Sequence, residues 1–269
     1  MTTRPHPRRA PGDLTRLPLL LFGVILLIYL IGPLVALVGQ ISGRDLAQTY
    51  GDPRTQSAVL TSLGTASVST LIVAVFGVPL AYVLARFRFR LKRLMSALVF
   101  LPLVLPPVSA GILLLILYGP NGPIGGLLSS RGIDLVDTAS GIVLAQVFVS
   151  APFVVVSARA AFERVDREYE EAAASMGATT WETFRHVSVP MARAGILAGL
   201  TLGWMRSLGE FGATVILAYH PYSLPVLNYV DLSSTGLSEA LPLALLALIL
   251  AAAALLVLFA VDELTLRTV

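Results

Sequence analysis

The chain has 269 residues, of which 56% are hydrophobic and only 13% charged, with a mean hydropathy of +0.81. A soluble fold carries about 25% charged residues, so this composition cannot clothe a water-facing surface and the chain reads as a bilayer protein. There is no cysteine, and the three histidines, His6, His186 and His220, are far apart, which excludes a disulfide framework, a thiolate nucleophile and a Cys-ligated metal.

A membrane span needs about 20 predominantly apolar residues, and six stretches qualify. The first covers 17–38 and follows a basic start, Arg4, Arg8, Arg9 and Arg16. Its apolar run exceeds that of a cleaved signal, so a retained helix is expected. The second covers 57–85, the third 94–118 and the fourth 138–161; the fifth covers 194–219 and the sixth 240–261. Pro79, Pro102, Pro106 and Pro107 fall in spans two and three. They break backbone hydrogen bonds that lipid cannot replace, so the kinked segments should face protein or a water-filled cavity.

Loop charge sets the orientation. With the N-terminus inside, the cytoplasmic segments hold Arg4, Arg8, Arg9, Arg16, Arg86, Arg88, Arg90, Lys92, Arg93, Arg159, Arg164, Arg167, Arg185, Arg193 and Arg267. The external segments hold only Arg44, Arg54 and Arg131, and Arg206 lies within a span. Both termini are therefore expected in the cytoplasm. The excess of bases orients the chain against anionic headgroups, which removes a nucleic-acid reading.

The external loops, 39–56, 119–137 and 220–239, read as connectors or as a landing surface for an extracytoplasmic partner. The cytoplasmic loop 162–193 is the most charged stretch. A helix is expected from Glu163 to Met176, ending at Gly177 as a left-handed cap. Thr179 with Glu182 fits a capping box for a second helix, which carries Trp181, Phe184 and Val187 on one side and stops at Pro190. The small Ala172, Ala173 and Ala174 lie before the turn. The element is either an amphipathic hairpin resting on the bilayer or a docking knob for a cytoplasmic protein.

In the fifth span, Gly195, Gly199 and Gly203 form a doubled G-x-x-x-G that lets two helices approach closely. Arg206, Glu210 and Ala213 continue that face at helical spacing. Ionisable groups in a span are costly. Arg206 and Glu210 are i, i+4, so either they neutralise each other as an internal ion pair or, with Ser207, they line and gate a pathway for an anion.

The loop resembles the signature loop of ABC-importer membrane subunits: E-A-A, three residues, Gly, nine residues, then I-x-L-P. Here Glu171-Ala172-Ala173 is followed after three residues by Gly177, and nine residues later by Val187-Ser188-Val189-Pro190. Leu101-Pro-Leu-Val-Leu-Pro-Pro107, Gly119-Pro-Asn-Gly-Pro-Ile-Gly125 and Ser207-Leu-Gly-Glu-Phe-Gly-Ala-Thr214 are similar to the third and fifth spans of molybdate/tungstate and sulfate permeases. The resemblance implies an all-α, type I permease fold of six transmembrane helices with a cytoplasmic coupling helix. It assigns Glu171, Ala172, Ala173, Gly177 and Pro190 to ATPase coupling, and implies two partners: cytoplasmic ATPase subunits and an extracytoplasmic solute-binding protein.

The chain holds no phosphate cradle G-x-x-x-x-G-K-[ST] and its one lysine is Lys92, so ATP and Mg are expected on a separate chain, with no cofactor, metal or catalytic residue here. The expected organisation is a tail 1–16, a first helix and external loop 17–56, a permease core 57–262 containing the coupling loop 162–193, and a tail 263–269. The expected function is an inner-membrane permease, a homodimer by its single six-span unit, importing molybdate or tungstate with sulfate or another anion as the alternative. The rival from another class is an ion-gradient-driven transporter, for which Glu210 would be the coupling acid.

Overall fold

The computed structural model describes the backbone of residues 17–267 and the side chains of residues 18–256. The tail 1–16, with Arg4, Arg8, Arg9 and Arg16, and residues 268–269 lie outside the described residues. Helix α1 (Leu17–Gly39) is apolar on every side and makes few contacts with the rest of the chain. A capping box between Ser42 and Asp45 starts α2 (Gly43–Gly51) in the first loop.

Asp52 caps α3 (Pro53–Arg86), with Pro53 in its first turn. Its 34 residues extend about 51 Å at 1.5 Å per residue, so it overreaches a hydrocarbon layer of about 30 Å. Thr138 accepts from the Gly141 N–H at 3.1 Å and starts α7 (Ala139–Arg164), which runs on past the expected end. Glu163, expected to open the first loop helix, is instead on the last turn of α7, 2.8 Å from Arg159 Nε. Together α3, α7 and α10 (Val189–Leu208) form the packed centre.

Two expected spans are broken. The third is a pair, α4 (Lys92–Val104) and α5 (Pro107–Tyr118), bent by 117°. Pro106 and Pro107 have no N–H to continue the ladder, and each bars the residue before it from helical backbone. Pro102, inside α4, leaves that helix unbroken. The fifth span stops at Leu208 rather than continuing to residue 219, and a loop leads to the short α11 (Thr214–Leu217). Gly212 there lies against Pro107, and a Cβ on Gly111 of α5 would meet Ala213 O at 2.9 Å, so the two breaks are packed on each other. The last helices are α12 (Leu224–Ser234) and α13 (Leu237–Arg267), the latter continuing through most of the segment expected as a tail. A short α6 (Gly125–Ser129) sits in the second loop.

Candidate functional site

At one end of the bundle the chain turns out of α7 into α8 (Arg167–Ser175), capped by Asp166. Gly177 has φ +91°, a conformation open to glycine and costly to residues with a Cβ, and the Ala178 N–H bonds back to Ala173 O at 3.0 Å. Thr179 and Glu182 then cap each other at the start of α9 (Thr180–Thr183). Pro190 does not stop the chain. A π-helical turn, Phe184–Ser188, feeds directly into α10, and Pro190 occupies the first turn of that helix, where a missing N–H costs nothing. Insertions of this kind often sit at functional places.

This elbow has an inner and an outer face. Glu171, Ala172 and Gly177 are exposed, whereas Ala173 is buried. Around them Met176 is 84% and Trp181 62% exposed, although Trp181 keeps ring contact with buried Phe184 at 5.3 Å. On the inner side Glu170 accepts from Arg86 Nε at 2.9 Å and from the Ser188 hydroxyl at 2.6 Å. Arg86 also donates to Val165 O at 2.8 Å. One carboxylate thus ties α8 to the end of α3 and to the π turn, beneath an aromatic cluster of Tyr82, Phe162 and Phe184 with centroids 4.9–6.1 Å apart. The sequence reading missed Glu170. Its spacing to buried Ala173, i, i+3 on one helix face, was the available signal.

The second group lies along α10. The three glycines face α7: a Cβ on Gly195, Gly199 or Gly203 would come within 2.5 Å of Ala161 Cβ, 2.7 Å of Ser157 Cβ and 2.6 Å of Val154 Cγ2 respectively. Because α10 ends at Leu208, Glu210 and Ala213 do not continue this face along one helix, and the expected continuous stripe is corrected. Glu210 is 1% exposed. Its Oε2 lies 2.6 Å from Arg206 Nη1, and its Oε1 accepts from the Ala213 N–H at 2.7 Å. The carboxylate therefore serves twice: it faces a cation and it caps backbone freed by the break, which lipid could not satisfy. Buried Ser207 accepts from the Ser69 hydroxyl at 3.0 Å, and Gln146 Nε2 donates to Ser207 O at 3.1 Å. A polar seam thus joins α3, α7 and α10. Among the described residues no group of three or more His, Asp or Glu could hold a metal ion.

Residues 77–267, which include the elbow and the α7 and α10 sides of the seam but not Ser69, match the family described as binding-protein-dependent transport system inner membrane component. The chain belongs to this family. It is a multi-pass inner-membrane transport subunit, a permease rather than a catalytic chain. It is 47% identical to a "probable molybdenum ABC transporter permease protein" of Haloferax volcanii, over 94% of this chain and 92% of that one. It is 37% identical to a molybdate/tungstate transport system permease of Thermococcus kodakarensis, over 83% and 86%, and 37% identical to a sulfate transport system permease of Escherichia coli, over 74% and 72%. Among solved structures, a bacterial ABC transporter that imports alginate superposes with a TM-score of 0.74 at 19% identity, over 95% of this chain and 96% of that chain. The fold is therefore the all-α permease fold of that transporter. Among the described residues of this permease, the six stretches read from sequence become five long helices and one broken pair.

Proposed function

We propose that this permease carries a tetrahedral dianion, molybdate or tungstate, inward as a homodimer. A solute-binding protein delivers the anion on the outside, and ATP is hydrolysed with Mg on separate cytoplasmic chains. The names of the Haloferax and Thermococcus relatives support the cargo. The one-sided distribution of bases supports cytoplasmic termini and a cytoplasmic elbow. Residues 57–262 are taken as the permease core and 17–56 as a peripheral helix and loop.

The observation that carries the reading is the two-faced elbow. Its outer face offers Glu171, Ala172, Met176 and Trp181 to an ATPase cleft, and its inner face is bonded to α3 and to the root of α10 through Glu170. A push on α8 is handed to both helices. The glycines hold α10 close against α7 along its length, so the displacement reaches Arg206 and Ser207 at its far end and Glu210 just beyond it. An arginine neutralised by a neighbouring glutamate attracts a dianion weakly, as a passage must if it is to release what it conducts.

Vesicles rebuilt with the cognate ATPase and binding protein test this. Molybdate uptake should require ATP. Glu171→Ala should lower uptake about tenfold or more while hydrolysis continues, since a charge-assisted contact contributes about 1.5–3 kcal/mol. Uptake that persists without the ATPase and collapses with the proton gradient overturns the reading. Sulfate is the second cargo, favoured by the Escherichia coli relative; competition by a hundredfold excess of sulfate separates the two.

A further inference from the structure

At the elbow end of the bundle, where the chain passes from α3 to α4, a cavity of about 660 Å³ is lined by Arg88, Phe89, Arg90, Lys92, Arg93, Ser96 and Arg159. Five of these seven residues are bases and none is an acid. Arg159 is already paired with Glu163 and also donates to Ser96 Oγ at 3.2 Å, and Lys92 donates to Phe87 O at 3.1 Å. Among the described residues, Arg88, Arg90 and Arg93 meet no carboxylate. Like charges held together cost free energy unless an anion joins them, and neither the coupling role of the elbow nor the seam uses this cluster.

Ser96 and Arg159 also border a second cavity, of about 300 Å³, between α4 and α7. Its remaining lining is Leu84, Val99, Phe100, Val155, Val156, Ala160 and Glu163, apolar apart from the glutamate held by Arg159. The two cavities thus meet at one pair of residues, Ser96 and Arg159, with a basic chamber on one side and a mostly apolar groove between α4 and α7 on the other. An inorganic oxyanion would neutralise the chamber and leave the groove empty. A phospholipid has the matching polarity in the matching order, a phosphate for the bases and an acyl chain for the groove.

We propose that this is a site for one anionic phospholipid, its phosphodiester among Arg88, Arg90 and Arg93 and one acyl chain along Val99, Phe100 and Val156. A bound chain would pack against α7 the α4 half of the broken third span, which has no buried residue of its own. The proposal does not depend on the transported anion or on the ATPase.

The test is native mass spectrometry of the purified full-length chain after exchange into vesicles of phosphatidylglycerol or phosphatidylcholine. Wild type should retain phosphatidylglycerol and not phosphatidylcholine. Arg90→Gln with Arg93→Gln should weaken retention about thirtyfold, since each base near the surface contributes about 1 kcal/mol. Val156→Trp fills the groove and should release the lipid with the bases intact. Arg93→Gln alone, an exposed change, keeps the test valid if the double variant does not fold, and should weaken retention about fivefold. Equal retention of the two lipids, retention unchanged in the variants, displacement of the lipid by millimolar molybdate or sulfate, or a lipid-free dimer that buries the groove against a second copy would each overturn the proposal.

Discussion

Glu210 is a buried carboxylate that faces Arg206 with one oxygen and holds the Ala213 N–H with the other, and these two tasks predict different variants. Arg206→Ala leaves the charge buried without its partner, a change of about 3–5 kcal/mol, and thermal unfolding in detergent should fall sharply. Adding Glu210→Gln to Arg206→Ala removes the charge but keeps an acceptor for Ala213, so most of the loss should return. Adding Glu210→Ala instead should recover less, because the backbone donor stays unmet. Gly177→Val forces a β-branched residue to φ +91°, at about 1–2 kcal/mol or more. It should misdirect the elbow, so that ATP hydrolysis continues while uptake falls. The local rules made Gly177 and the Thr179–Glu182 cap readable in the sequence, since each is decided within a few residues. Glu170 was not readable in this way: its partners Arg86 and Ser188 lie 84 and 18 residues away, and no short-range pattern records them.

Among the elements, the Glu170 tie between α8, α3 and the π turn is the joint through which the proposed coupling would pass. Glu170→Gln should leave the complex assembled and hydrolysing ATP while uptake per ATP falls. The exchanged pair Arg86→Glu with Glu170→Arg should restore part of that ratio, a recovery that a general loss of folding would not give. At the α7–α10 contact, Gly199→Leu drives a side chain into Ser157, 2.7 Å from the position of the first added carbon. Overpacking of this kind costs about 1–3 kcal/mol and should lower the unfolding temperature measurably. The elements themselves were largely legible as apolar runs of the right length. Their interruptions were not. Pro106 and Pro107 announced a kink in the third span, but not its 117° bend or the long-range packing of Gly111 and Pro107 against Gly212 and Ala213 that accompanies it. Pro190 read as a stop and is instead a helix start, because the π turn carries the chain past it. Gly209 ended the fifth span early where composition alone ran on.

For the whole molecule, the composition already required a bilayer, and the elbow motif, with its spacing, already marked a permease; the match over residues 77–267 makes that membership plain. What composition could not place was the relation between the elbow and the polar seam, which sit at opposite ends of α10. The central claim is that the outer face of the elbow is where a cytoplasmic ATPase takes hold. The chain contains no cysteine, so Ala172→Cys introduces a single thiol at an exposed position of that face. Its reaction with a membrane-impermeant maleimide measures the claim directly. In sealed vesicles the thiol should react only from the cytoplasmic side, and the rate should drop about tenfold or more once the cognate ATPase is bound. Reaction from the opposite side, or a rate unchanged by the ATPase, would contradict the account.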